Sequence, residues 1–225
     1  MECWLYNQCN HKDCDKDFCI RKYKLDYLYN NSLLSPSQRY NVALFVDDDN
    51  SDLEAFKQLA AYQADIVSFV ESGQNLYLHS SNCGNGKTSW AVRFIQAYFN
   101  KIWPKSPLTC RALFISVPRF LLALKDNIQN KNAYVEFIKE NIMSADLVVW
   151  DDIATKVGTE FELNHLLSLI DGRIALGKSN IYTSNLDTRA MYNALGERLA
   201  SRVCLYSKDI ELKGADKRQM GGGNK

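Results

Sequence analysis

Between positions 81 and 89 the chain reads Ser81-Asn82-Cys83-Gly84-Asn85-Gly86-Lys87-Thr88-Ser89. A glycine-containing loop that ends in Gly-Lys-Thr and opens a helix can cradle phosphate groups. Gly84 and Gly86 let the backbone curl so that successive N–H groups point inward, and the N-terminus of the next helix adds its positive dipole end. Lys87 can reach outer phosphates, and Thr88 can offer its hydroxyl to Mg²⁺. One position departs from the full G-x-x-x-x-G-K-S/T pattern: Ser81 stands where the first glycine belongs. The competing reading is an ordinary strand-turn-helix corner that happens to spell Gly-Lys-Thr.

Two further sets carry chemistry. Leu147-Val148-Val149-Trp150 runs into Asp151-Asp152. Four apolar residues before an acidic pair suit a metal-and-water site: Asp151 as a hard oxygen ligand for Mg²⁺, Asp152 as the group that polarises an attacking water. Alone, the pair is also a common acidic turn. Asn185 could orient the same water, and Arg202 could stabilise charge on a phosphate of a neighbouring subunit. The bland readings are a turn asparagine and a surface arginine. The second set is Cys3-x5-Cys9-x4-Cys14-x4-Cys19, with His11 inside it. Four thiolates, or three with an imidazole, suit tetrahedral zinc. An iron–sulfur cluster and free thiols are the other readings.

The elements that must position these groups follow from the patterning. Runs at 75–80, 112–117, 145–150, 180–183 and 203–206 read as apolar strands separated by helical text, which predicts a five-stranded parallel sheet covered on both faces. In such a sheet, ligands bind beyond the carboxyl ends of the strands. The phosphate loop, Asp151-Asp152 and Ser184-Asn185 would gather there. Ser51 with Glu54 and Thr159 with Glu162 both read as capping boxes. Gly73 and Gly172 read as helix stops, and Asp187 as the N-cap of a helix running to Arg202. The helix after the loop is apolar on two sides and should lie between layers.

Composition narrows the class. With 46% hydrophobic and 24% charged residues, the chain reads as an ordinary globular protein. No apolar run approaches the ~20 residues needed to span a bilayer. The first residues have neither a basic nor an apolar signal region, so a cytoplasmic location is expected. A net charge of +1 does not advertise a nucleic-acid partner. Basic residues with aromatics, Lys101, Lys105 and Arg111 around Trp103, and Arg119-Phe120 with Lys125, are candidate local contacts for single-stranded DNA.

Taken in order, Gly84-Asn85-Gly86-Lys87-Thr88, Asp151-Asp152-Ile153, Thr183-Ser184-Asn185-Leu186 and Glu197-Arg198…Ser201-Arg202, with the late Leu212-Lys213-Gly214-Ala215-Asp216-Lys217-Arg218, resemble the AAA+ ATPases. Within these they are most similar to the DnaC/DnaI-type bacterial and phage helicase loaders, with the IstB-type transposition ATPases close by. The resemblance runs over roughly 51–220. It implies a P-loop α/β core without a C-terminal lid, and ATP with Mg²⁺ as ligands. It implies Lys87, Asp152, Asn185 and Arg202 as catalytic groups, with Arg202 acting in trans and Arg198 its less favoured alternative. It also implies self-association and contacts to a hexameric replicative DNA helicase and to single-stranded DNA. An N-terminal zinc module at 1–31 would dock on the helicase, joined by a linker at 32–50, and 221–225 would form a disordered tail. Two departures, Ser81 for glycine and Asp152 for the usual glutamate, favour ATP binding over fast turnover. An IstB-like transposition helper and a non-hydrolysing ATP-switched adaptor are the rival functions. A P-loop nucleoside kinase is disfavoured by the Asn185 and Arg202 region.

Overall fold

Four apolar segments become strands: β1 (Asn75–His79), β2 (Ala112–Ser116), β3 (Leu147–Asp151) and β4 (Ser179–Ser184). In the computed structural model, which describes residues 3–5, 9, 18–39, 44, 51–127, 130–154 and 158–217, these strands are buried almost throughout. A fifth, β5 (Lys208–Glu211), completes an all-parallel sheet in the order β2-β3-β4-β1-β5. A strand buried on both faces has no polar side to show, which is why β1 to β4 read as near-continuous hydrophobic runs.

Parallel pairing requires crossovers, and helices supply them. In chain order they are α1 (Ile20–Asn30), α2 (Pro36–Arg39), α3 (Leu53–Ala64), α4 (Ile66–Glu71), α5 (Lys87–Ile102), α6 (Val117–Asp126), α7 (Ala133–Asn141), α8 (Glu160–Ala175) and α9 (Thr188–Leu205). Alternate strand residues point to opposite faces, and this splits the core in two. Leu76, Leu78, Phe114, Leu147, Val149 and Ile181 pack under α1, α3, α4 and α5. Tyr77, Leu113, Ile115, Val148, Trp150 and Tyr182 pack under α6 to α9. Helix α5 buries Trp90, Ala91, Val92, Phe94, Ile95, Tyr98 and Phe99, as expected of a helix held between layers.

Several boundaries differ from the sequence reading. The segment 203–206, read as a strand, is the end of α9: Leu199, Ala200 and Val203 fall at helical spacing and are buried. The true last strand is the polar Lys208-Asp209-Ile210-Glu211, where only Ile210 is buried. Three of its four residues are exposed, so it lacks the apolar signature that β2, the edge strand on the other side, keeps because it is buried. Helical text at 119–143 resolves into α6, with Pro118 in its first turn, and α7, capped by Asn132. Helix α8 continues past Gly172 to Ala175. The box at Thr159 and Glu162 forms with both reciprocal bonds, and Asp187 caps α9 through Ala190 N–H.

Ser51 does not cap α3; Asp52 precedes the helix and turns its carboxylate elsewhere. Helix α1 lies within the stretch expected to be a separate N-terminal module. Its Leu25, Leu28 and Tyr29 are buried in the same cluster as α5, and Phe114 N–H of β2 donates to Ser32 O (2.8 Å).

Candidate functional site

The loop between β1 and α5 is shaped by its glycines. Gly84 (φ +74°) and Gly86 (φ +104°) both take left-handed backbone, which costs other residues energy. Ser81 has no positive φ, so its backbone does not require glycine. The first intrahelical bond of α5 runs from Trp90 N–H to Gly86 O (2.9 Å), so the N–H groups of Lys87, Thr88 and Ser89 stand outside the helix's own ladder. That is the donor arrangement of an anion site at a helix N-terminus.

A cavity of about 230 Å³ opens over this loop. Cys83, Gly84, Asn85, Gly86, Lys87, Thr88 and Ser89 line it, together with Asp152 and Asn185. Strands β1, β3 and β4 are neighbours in the sheet, so the ends of all three meet at one edge. Ser81 and Asn82, also expected to bind phosphate, lie outside the lining. Asn82 nonetheless holds the site, because Lys87 Nζ donates to Asn82 O (3.0 Å) and to Asn85 Oδ1 (3.2 Å). The lysine is folded onto acceptors of its own loop.

Asp151 sits beneath this lysine and is 8% exposed. Its Oδ1 accepts from Thr88 Oγ1 (2.9 Å) and from Thr183 Oγ1 (2.8 Å). Burial pushes its carboxyl up to about 6, against the opposing pull of those hydroxyls. Thr88 and Asp151, two hard oxygen donors side by side, fit the needs of Mg²⁺. Asp152 occupies left-handed backbone (φ +57°), a conformation in which aspartate is enriched, and Ala154 follows it (φ +68°). Asp152 N–H donates to Thr183 Oγ1 (2.9 Å), and Ile153 N–H to Thr183 O (2.9 Å). Thr183 therefore holds both acids. Sequence reasoning gave it no role of its own, since a threonine inside a buried strand carries no spacing signal.

Arg202 is elsewhere. Its Nε donates to Asp171 of α8, and its guanidinium lies 5.6 Å from the Tyr206 ring centroid. Tyr206 O accepts from the side chain of Asn75, the first residue of β1 (3.1 Å), which puts this end of α9 near the opposite edge of the sheet. Arg198 lines a separate, mainly apolar cavity of about 370 Å³ with Leu163, Leu167, Leu195 and Leu199.

Three of the five basic groups read as DNA contacts are engaged within the chain. Phe120 is buried; Arg119 lies over Tyr134 (4.6 Å), Lys125 pairs with Glu162 (3.1 Å), and Arg111 pairs with Asp146 (2.6 Å). Trp103 packs partly against the core under Arg21 (5.9 Å). Of the N-terminal cysteines, Cys3, Cys9 and Cys19 are half-buried, while Cys14 and His11 lie outside the described residues. Among the described residues, no group of three His, Cys, Asp or Glu side chains is placed to hold a metal. None of the helices described is long and apolar enough to cross a membrane.

No protein-family profile matches the chain. Among curated proteins it is 30% identical over 161 residues to the replicative helicase loader DnaC of Buchnera aphidicola, covering 71% of this chain and 59% of that protein. It is 24% identical over 156 residues to DnaC of Escherichia coli, covering 69% and 58%. The chain resembles the DnaC-type helicase loaders. The match spans under two thirds of the length of these relatives.

Solved structures give the same fold. A DnaC helicase loader superposes with a TM-score of 0.64 at 18% identity, over 80% of this chain and all of that one. DnaI superposes at 0.62 and 18%, over 83% and 95%. A replication initiator DnaA bound to AMPPCP and single-stranded DNA superposes at 0.60 and 17%, over 80% and 51%. The five-stranded parallel sheet flanked by helices is thus a fold shared with these replication proteins.

Proposed function

We propose that this chain is an ATP-dependent helicase loader. The observation that carries the reading is the single cavity that joins the glycine loop, Lys87, Thr88, Asp152 and Asn185 above the buried Asp151. The DnaC-type likeness selects the function among the many that this fold supports.

In this reading the N–H groups of the loop and of the first turn of α5 receive the phosphates, and Lys87 leaves Asn82 O and Asn85 Oδ1 to meet the outermost one. Thr88 and Asp151 hold Mg²⁺, which when bound supplies positive charge against the phosphate oxygens. Asp152 accepts the proton of a water that Asn185 orients. Arg202 serves the site of an adjacent copy, because its own cavity is out of reach. The loader binds a hexameric replicative helicase and helps place it on single-stranded DNA, and nucleotide turnover governs assembly and release. Cys3, Cys9, Cys14 and Cys19 hold zinc in an N-terminal region that contacts the helicase; thiolates suit that ion, and Cys14 completes the set.

Nucleotide titration and a phosphate-release assay test the enzyme. Wild type is expected to bind ATP with Mg²⁺ and turn it over, Lys87→Ala to lose binding, and Asp152→Asn to bind without turnover. Binding without any wild-type turnover would favour the ATP-switched adaptor. Capture from host lysate tests the partner: a replicative helicase supports the proposal, and a transposase in its place sinks it. Metal analysis of anaerobically prepared protein is expected to give about one zinc per chain, and a metal-free result removes that assignment.

A further inference from the structure

The chain from Leu212 to Lys217 has almost no regular structure, yet it is tied across the phosphate loop at three points. Asn85 donates its side-chain amide to Leu212 O (2.9 Å). Asn82 donates its own to Lys213 O (3.1 Å) and Gly214 O (3.2 Å). Lys217 N–H donates to Gly84 O (3.0 Å). The Asp216 carboxylate packs directly on Gly84, where a Cβ would meet its Oδ1. Glycine at position 84 serves the left-handed turn.

The segment is pinned from the other end of the sequence. Asp52, just ahead of α3 and 3% exposed, accepts from Lys213 N–H (2.6 Å) and Gly214 N–H (3.0 Å) through Oδ1. Its Oδ2 accepts from Lys217 Nζ (3.1 Å), whose side chain is 9% exposed. Burying a carboxylate and an ammonium together is costly, and removing one partner strands the other. Leu212 N–H continues the pairing of β5 with β1 by donating to His79 O (2.9 Å), and beyond it the segment's backbone is held by Asp52 and by the loop. The two asparagines that grip the segment are also the residues whose oxygens hold Lys87 Nζ. Segment, loop and lysine therefore share one hydrogen-bonded unit.

We propose that residues 212–217, pinned by Asp52, form a latch that holds the phosphate loop in its nucleotide-receiving shape, so that nucleotide binding and latch docking reinforce each other. Asp52 lies outside the cavity lining and acts as a positioning residue. The inference rests on the nucleotide reading above. Coupling of this kind is reciprocal: what loosens the latch weakens nucleotide binding, and nucleotide in turn protects the latch.

The test uses the full chain as wild type, Asp52→Ala and Asp52→Asn, each checked by a cooperative thermal melt. A fluorescent ATP analogue with Mg²⁺ reads affinity. Trypsin followed by mass spectrometry reads cleavage after Lys213 and Lys217, with and without ATP. Asp52→Ala is expected to weaken ATP binding roughly tenfold and to abolish protection of both bonds by ATP. Asp52→Asn should recover part of the affinity, because its amide oxygen still accepts from the two backbone N–H groups but cannot pair with Lys217. If Asp52→Ala fails to fold, Lys217→Ala takes its place, leaving the backbone bonds to Asp52 intact; cleavage is then read after Lys213 alone, because that variant lacks the tryptic site at 217. The latch is refuted if wild type binds ATP while the folded variants bind within about twofold of it, or if ATP leaves wild-type cleavage unchanged. A wild type with no ATP affinity refutes the nucleotide reading and the latch together.

Discussion

Asp151 shows how one residue can be legible by type and opaque by state. Its place after an apolar run marks it as a ligand candidate, but only the fold buries it and puts two hydroxyls on one oxygen. Because its folded-state value of about 6 lies above the ordinary carboxylate value of 3.8, the fold favours the neutral form. The stability it contributes is full below about pH 4 and is lost as pH rises through about 6. In metal-free protein, Asp151→Asn should raise stability at pH 7.5 by on the order of 1–3 kcal/mol, with the gain fading toward pH 4. Urea denaturation of both proteins at several pH values checks this, and a pH-independent difference would contradict it. Ser81 teaches the opposite lesson: the missing glycine looked like a defect, but its backbone is not left-handed. Sequence shows which residue is present, not which φ its position demands.

At the scale of elements, legibility followed burial. Strands covered on both faces announced themselves, and the capping box at Thr159 formed because both its partners are local. Ser51 offered the same local pattern and failed, because Asp52 is claimed by residues more than 160 positions away. Edge strand β5 was missed for want of apolar residues, and the end of α9 was taken for a strand because a short apolar run fits either period. The polar, basic text of helix α1 conceals a buried stripe of Leu25, Leu28 and Tyr29 in the cluster it shares with α5. Leu25→Ala should therefore destabilise the unit that carries the glycine loop by roughly 2–5 kcal/mol. Denaturation followed through that unit's tryptophans, Trp90, Trp103 and Trp150, in a Trp4→Phe background, would reveal it. An unmoved midpoint would mean that α1 folds as part of an independent module.

For the whole molecule, the deciding feature is where chain order places distant groups. Strand order β2-β3-β4-β1-β5 sets β1 beside β4 and β4 beside β3, so the loop, Asn185 and the acidic pair share an edge. The same topology carries Arg202 away from it. The Arg202–Asp171 pair is exposed at both partners, so Arg202→Ala should cost less than ~1 kcal/mol of stability. It should also leave ATP affinity within about twofold while abolishing turnover. Mixing Arg202→Ala chains with Lys87→Ala chains should then restore turnover, since one supplies the loop and the other the arginine. Failure of the mixture to recover activity would remove the trans role. By itself the sequence determined the parallel α/β class and marked the glycine loop, the acidic pair and the asparagine as site candidates, because those signals are local spacings and apolar runs. Tertiary structure alone decided that Thr183 holds both acids, that Arg202 stands apart, that α1 belongs to the core and that Asp52 anchors residues 212–217. Each of those depends on contacts between residues far apart in the chain, and no periodicity records them.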